Sequence, residues 1–511
     1  MAAVWWLAWA YLVPLVRAFC PRGCSCDDSL PSARCVGAGL NLVPILFNPS
    51  LRRLDLAHNS IASLEQALVF LNLLEDLDLS HNLLESLGVG NFEAQSNLKK
   101  LSVAHNNLST LLPRAFTGLT ALTHLDLSYN SLDDLPEGVL NDLPHLTVLH
   151  LSHNRLFFLS QHAFRGPKSL LLLDLSDNYF RHVPTEALHA AASLQTLHLC
   201  RNRLTDLSPS AFTNHDLKLL ALDGNNIEHL DQATFMSLKH LQNLSLVGNS
   251  INEVPTKALS FLPKLEFLSL SRNKIREVRA GAFSVQSLLT TLEMSRNPEL
   301  KAMSPEALSG CGELQHLTLS HNPKLKHLPS GLFKPLKNLR SLDLRDNGLK
   351  SLPEVEVPWK TLQKLDLRDN PLVCNCSVRW LAQLVRSANT SIASRDLQCA
   401  APDKLRGLYL SRLTPREQLC GEGVETVLAV VAAAASCVLL LTLTLLLYKH
   451  WRRRRQGKLS SSEWPADPLP PWTQQEGHRH HRPPGTPSLT VPHAAPSTRD
   501  SNTKSQSGVH V

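Results

Sequence analysis

Leu146-Thr147-Val148-Leu149-His150-Leu151-Ser152-His153-Asn154-Arg155-Leu156 places leucines at its first, fourth and sixth positions, asparagine at the ninth and leucine again at the eleventh. The same pattern occurs fourteen times, and its asparagines, from Asn59 through Asn154 to Asn370, stand 23 to 25 residues apart. A repeat of this length predicts an α/β repeat solenoid, each unit giving one short parallel strand and a returning convex segment. In such a unit the leucines point inward and the residues between them face the concave side. The asparagine turns the chain, and its amide can satisfy backbone groups that would otherwise be buried unpaired. About ten residues later comes a bulky apolar side chain, among them Phe92, Phe116, Leu140, Phe164, Leu188, Phe212, Phe235, Leu259 and Phe283, expected to stack as a spine under the convex side. After the one-residue insertions at Pro298 and Pro323 the same role falls to Leu308 and Phe333. One unit alone cannot offset the entropy of ordering it, so the stack needs caps at both ends.

The cysteines mark those caps. Cys20, Cys24, Cys26 and Cys35 precede the first repeat, and Cys374, Cys376, Cys399 and Cys420 follow the last. Two groups of four at the ends of a repeat array predict disulfides and an oxidising compartment. Zinc is the competing use of clustered cysteines, but the Cys-x-Cys spacing lacks the usual knuckle and no metal is expected. Spacing alone leaves three pairings open in each group.

The repeat itself is similar to the leucine-rich repeat, whose units build a horseshoe. Cys20-Pro21-Arg22-Gly23-Cys24-Ser25-Cys26 resembles the amino-terminal cap of extracellular leucine-rich repeat proteins. Asn370-Pro371-Leu372-Val373-Cys374-Asn375-Cys376, with Arg379-Trp380-Leu381 and Cys399-Ala400-Ala401-Pro402, resembles their carboxy-terminal cap. That resemblance implies the pairs Cys20 with Cys26, Cys24 with Cys35, Cys374 with Cys399, and Cys376 with Cys420. It also implies a type I membrane protein like the capricious-type adhesion molecules, the synaptic leucine-rich repeat transmembrane proteins and trophoblast glycoprotein. The expected plan is a signal peptide at 1–18, an amino-terminal cap at 19–50, fourteen repeats at 51–372 and a carboxy-terminal cap at 373–420.

Targeting signals fit this plan. Residues 1–18 contain an apolar run, 4–16, and end in Val16-Arg17-Ala18, a pattern signal peptidase reads. After a linker at 421–426, residues 427–448 are uncharged and long enough to span a bilayer. Lys449, Arg452, Arg453, Arg454 and Arg455 follow, which places the carboxy-terminal side in the cytoplasm and the repeats outside the cell, at the plasma membrane. The tail, 449–511, holds ten Lys and Arg against four Asp and Glu, so it carries nearly all of the net +7. The ectodomain is close to neutral, and no nucleic-acid partner is expected from charge. Rich in Pro, Ser and His, the tail is expected to be disordered. Val509 and Val511 stand at the third-last and last positions, the places a PDZ domain reads by strand addition.

Function must then reside in the ectodomain. The sequence contains no nucleophile–base motif, phosphate-binding glycine loop or metal motif, so neither an enzyme nor a cofactor is expected. Stacked strands lie about 4.8 Å apart, so equivalent residues form columns. One column, beside the turn, runs His58, His81, His105, Tyr129, His153, Asp177, Arg201. Another runs His124, Val148, Leu172, Thr196, Leu219, Asn243 and Phe267, and from it an apolar strip is expected, Val148, Leu172, Leu219 and Phe267, flanked by Tyr129, His150, His153, Asp174, His198 and Arg201. Apolar and aromatic groups beside arginine are what interface hot spots are made of, so these ten residues are the candidate ligand contacts. The alternative is that the apolar four are simply half-buried against neighbouring leucines. The clustered imidazoles invite a pH-switch reading, blunted by Asp55, Asp78 and Asp126 in the adjoining column.

Phe157 and Phe158 fall at positions outside the core, on the edge of the solenoid. Glycan acceptor triplets lie at Asn107, Asn243, Asn375 and Asn389, with Asn375 expected to be poorly accessible between its cysteines. Cys200 is expected to be an inert core thiol; Cys311, between Gly310 and Gly312, is either buried or exposed and able to bond a partner. The expected function is a cell-surface receptor or adhesion protein that binds a protein ligand through its concave face. The alternatives are a modulatory subunit or co-receptor in the same membrane, and a growth-factor-presenting protein.

Overall fold

The computed structural model describes residues 20–27, 29–209, 211–213, 216–352, 361–386, 396–413 and 422–456. The expected signal peptide, Asn389, Cys420 and the tail from residue 457, with Val509 and Val511, lie outside the described residues; the first eight residues of the expected disordered tail, 449–456, are instead helical.

Each repeat contributes a three-residue strand centred on its second leucine. In Val148–His150 the central Leu149 is buried and its neighbours are half-exposed on the opposite face. Fourteen such strands and two from the amino-terminal cap form one sheet. The first two, Ser25–Asp27 and Ser32–Arg34, pair antiparallel as the amino-terminal cap. Every later pairing is parallel and joins equivalent repeat positions, for example Val148 to Leu172 and Leu172 to Thr196. Equivalent residues therefore become direct neighbours, and columns in the sequence become columns in space.

Beneath the sheet, the asparagines form a ladder. Asn154 Nδ2 donates to the carbonyl oxygens of Leu151 (3.1 Å) and Ser152 (3.3 Å) in its own turn, and to Leu127 (3.0 Å) one repeat earlier. Its Oδ1 accepts from the Leu132 amide at 3.0 Å. One side chain thus pairs buried backbone groups in two successive repeats, which a turn lacking an amide could not do. Around the two one-residue insertions the rung shifts by two residues: the amides of Asn273, Asn297 and Asn322 themselves donate to Oδ1 of Asn297, Asn322 and Asn347 at 3.1, 2.8 and 2.8 Å.

The spine residues Phe92, Phe116, Phe164, Phe212, Phe235 and Phe283 are all buried, as are Leu140, Leu188, Leu259, Leu308 and Phe333. The convex return is mostly turns. It becomes a short helix at Thr185–His189 and Thr256–Leu259, where a Val-Pro pair fixes the entry, and two-residue parallel pairs join Asp206–Leu207 to His229–Leu230 and Glu277–Val278 to Ala302–Met303. Among the described residues three disulfides hold the caps: Cys20–Cys26, Cys24–Cys35 and Cys374–Cys399. In the carboxy-terminal cap the helix Arg379–Arg386 buries Trp380, Leu381 and Val385, and Trp380 Nε1 donates to the Leu352 carbonyl at 3.1 Å, closing the last open edge of the core.

These contacts decide one open alternative, at Cys311, and change one expectation, at Asn375. Cys311 is fully buried under the Phe283 carbonyl, and burial pushes its thiol up to about 12, so it offers no bond to a partner. With the native chain, an impermeant maleimide at neutral pH is expected to leave Cys311 unmodified, and mass spectrometry after denaturation should find it as a free thiol. Asn375 is exposed rather than shielded; its Oδ1 accepts from the Ser377 amide and hydroxyl.

A second unit holds one helix, Glu422–Gln456. It is longer at both ends than the apolar run, because the flanking Glu, Lys and Arg are good helix formers. Within it, 28 residues, Leu428–Arg455, are long and apolar enough to cross a membrane.

Candidate ligand-binding face

The turn column is built by the backbone. All fourteen residues preceding the ladder asparagines are left-handed; His58, His81, His105, Tyr129, His153, Asp177 and Arg201 have φ between 49° and 58°. This region is sterically poor for β-branched side chains and enriched in Asn, Asp and His, which explains both the recurring histidine and the glycines at 224 and 248. Equal dihedrals in successive repeats aim the rings alike. His58, His81, His105, Tyr129 and His153 consequently form a five-ring stack, with centroids 4.1, 4.0, 3.9 and 3.9 Å apart and planes within 14°.

Charge ends the stack. His153 Nε2 stands 3.2 Å from Asp177 Oδ2, and Arg201 grips the same carboxylate with two nitrogens at 2.6 and 2.5 Å. The arginine stem covers the next turn: a Cβ on Gly224 would lie 2.9 Å from Arg201 Cγ. One row further from the turn, His150 Nδ1 faces Asp174 at 3.8 Å, and His198 is the register partner of Asp174 on the other side. Asp174 also accepts from the Ser176 amide at 3.0 Å, the bond that Asp55, Asp78 and Asp126 make in their own turns. Those aspartates are part of the turn, whereas His150 and His198 occupy that position with a side chain left over for the surface.

The environments separate the imidazoles. Asp174 raises the proton affinity of His150 against the effect of its burial. Burial, then the neighbouring His81, lowers that of His105. Burial pushes the Asp174 carboxyl upward, but hydrogen bonding to His150 and Ser176 overcomes it and holds the group well below the usual carboxylate range. Stabilisation from the His150–Asp174 contact is therefore full between the ordinary carboxylate and histidine ranges, fades as pH rises through the raised value of His150 and is lost at acid pH as Asp174 takes a proton; that from neutral His105 is present above the ordinary histidine range and is lost as pH falls. Proton titration followed by NMR should show His150 charging at higher pH than His105, and the reverse order would contradict this geometry.

The third row holds Val148 and Leu172 side by side and half-buried. Beyond them, the register inserts Thr196 before Leu219 and Asn243 before Phe267. The apolar four are not one strip. Tyr129, Val148, His150, His153, Leu172, Asp174, His198 and Arg201 do come together, on the neighbouring strands His124–Asp126 to Thr196–His198 and the turns after them; Leu219 is on the next strand and Phe267 two strands further. Asn243, a glycan acceptor, stands between those last two. Asp177, which joins the ring stack to Arg201, is visible in the sequence only as one member of a column, since its role depends on the left-handed turn.

On the flank, Phe157 and Phe158 are 65% and 60% exposed and border an open hollow with Tyr179. Among the described residues no group of three or more His, Cys, Asp or Glu side chains is arranged to hold a metal ion.

Family models described as leucine rich repeat match residues 47–63 and, in overlapping segments, 72–323. Human reticulon-4 receptor-like 2 is 34% identical over 107 residues, 21% of this chain and 25% of that protein. Trophoblast glycoprotein of Macaca fascicularis is 33% identical over 103 residues, covering 19% and 24%. Leucine-rich repeat and fibronectin type III domain-containing protein 1 of Danio rerio is 28% identical over 133 residues, covering 24% and 22%. The aligned segments thus span about a quarter of these relatives. Among solved structures, the TLR13–ssRNA13 complex matches with TM-score 0.64 at 27% identity, covering 69% of this chain and 52% of the other. The mouse RP105/MD-1 complex matches with TM-score 0.58 at 21% identity, covering 73% and 76%.

Proposed function

We propose, from the premise that this chain belongs to the leucine-rich repeat proteins, that it is a single-pass cell-surface receptor or adhesion protein taking a protein ligand on the concave face of its middle repeats. One observation carries this reading: the end of the ring stack, the Asp177–Arg201 pair, the His150–Asp174–His198 row and the Val148–Leu172 pair lie side by side on four neighbouring strands. Aromatic faces, a guanidinium and half-buried aliphatic groups in one patch are the composition of an interface centre. Relatives named as receptors and the solved complexes of similar fold support a binding role. The capped, disulfide-bonded repeats and the apolar helix support a place at the plasma membrane with the repeats outside.

A modulatory or co-receptor role in the same membrane is the second reading, favoured by the six residues, 421–426, that separate the last cap cysteine from the apolar run in sequence. Presentation of a growth factor through a disulfide loses its support with the burial of Cys311. Proximity labelling by the tagged full-length protein, in isolated cells and in contacting co-cultures, separates the first two. Partners labelled only across contacts indicate trans recognition; partners labelled equally in isolated cells indicate a subunit of the same membrane.

A further inference from the structure

Residues 183–188 and 254–259 both read Val-Pro-Thr-x-Ala-Leu, and both fold into a short helix directly after the proline. Each helix borders a hollow on the flank of the solenoid, of about 960 Å³ at the first and 260 Å³ at the second. The shared backbone accounts for a hollow in both places, but the walls differ. The second is lined with charges that pair among themselves: Arg279 reaches Glu277 at 2.9 Å and Glu253 at 3.5 Å. The first is walled by Phe157, Phe158 and Tyr179, the last 42% exposed. Folding does not require rings there, because the positions equivalent to Phe157 and Phe158 carry Arg181 and His182 in the next repeat, then Thr205 and Asp206, on the same solenoid geometry.

The rim is cationic. The Arg203 guanidinium lies 4.3 Å from the Tyr179 ring centroid, and neither it nor Arg181 forms an ion pair among the described residues. Asp206 faces His182 at 3.9 Å, leaving Glu186 as the lone carboxylate among the lining residues. We propose that this aromatic hollow is a second docking site, separate from the concave face, for an extended segment of a partner protein in which an apolar or aromatic side chain is flanked by carboxylates. The side chain fills the space between Phe157, Phe158 and Tyr179, while the carboxylates meet Arg181 and Arg203, for which paired charge-assisted hydrogen bonds are the favoured geometry.

The test is a random-peptide phage library panned on cells displaying the full-length protein, with cells displaying the Phe157→Ser/Phe158→Ser variant as the counter-selection. Peptides that need the two rings are expected to share an aromatic or branched apolar residue beside Asp or Glu. Their affinity should fall about tenfold or more, some 1.4 kcal/mol, in Arg181→Glu/Arg203→Glu, and stay unchanged in Arg201→Ala on the concave face. All four flank positions are exposed, so surface level and melting temperature serve as folding controls. The proposal is overturned if the recovered peptides bind both displays equally, if their consensus lacks carboxylates, or if the phenylalanine variant only abolishes self-association, which would make a second copy the occupant.

Discussion

Asn178→Ala is expected to destabilise the ectodomain by about 3–5 kcal/mol, several times the effect of a typical substitution on the solvent face of the repeats. The side chain is 2% exposed and closes four bonds: Nδ2 to the carbonyls of Leu151 (2.9 Å), Leu175 and Ser176 (both 3.1 Å), and Oδ1 from the Leu156 amide (2.9 Å). Alanine leaves the buried Leu156 amide unpaired, which costs about 1–3 kcal/mol, and takes one bond from each of the three carbonyls, which keep Asn154, Asn202 and the His153 amide, at about 0.5–1.5 kcal/mol per bond lost. The expected loss stays below the full sum because water can enter the vacated space from the turn. Denaturant unfolding measures the loss, and hydrogen exchange should localise it to the repeats on either side of Asn178, since stability in a stacked array is a nearest-neighbour property. Asn107→Ala, at an exposed site, is the matched control and should change stability by no more than about 0.5 kcal/mol. A loss under about 1 kcal/mol for Asn178→Ala would show that the ladder is dispensable.

Tyr129→Ala and Arg201→Ala are each expected to weaken the partner recovered by proximity labelling about 30-fold, a loss of at least about 2 kcal/mol, the level that defines an interface hot spot. Tyr129 joins His105 to His153 in the stack and is 43% exposed, so a ligand can cover the ring while the fold does not depend on it. Arg201 is held by Asp177 before any ligand arrives, and that preorganisation reduces the entropy lost on binding. Surface plasmon resonance with the purified ectodomain would read both. His321→Ala, in a repeat remote from the cluster, should leave affinity unchanged. If Tyr129→Ala and Arg201→Ala bind as tightly as the parent while His321→Ala does not, the ligand sits on other repeats.

The strands, spine and ladder are legible in the sequence because each depends on a period, and a period survives without coordinates. Leu149, Phe164 and Asn154 have the same tasks in the structure that their spacing assigns. The column of rings is legible as an order of residues but not as a stack, because parallel packing near 4 Å depends on a backbone sign that letters do not carry. Gly224 and Gly248, in the same column, are the available hint. The apolar strip fails for a simpler reason: Val148, Leu172, Leu219 and Phe267 are consecutive only when Thr196 and Asn243 are skipped, and register does not skip. At Cys311 the neighbouring glycines suggest exposure, whereas Gly310 marks crowding; a Cβ there would collide with the Phe283 carbonyl.

Fourteen left-handed turns also limit how this surface can diversify. The position before each ladder asparagine is written in five letters only, His, Tyr, Asp, Arg and Gly, and none is β-branched. A change of ligand preference by point substitution has a short vocabulary in that column and a long one in the two rows beside it. The column works as a constant rail of rings and charges, and the neighbouring rows are where one such surface can be retuned into another without disturbing its turns.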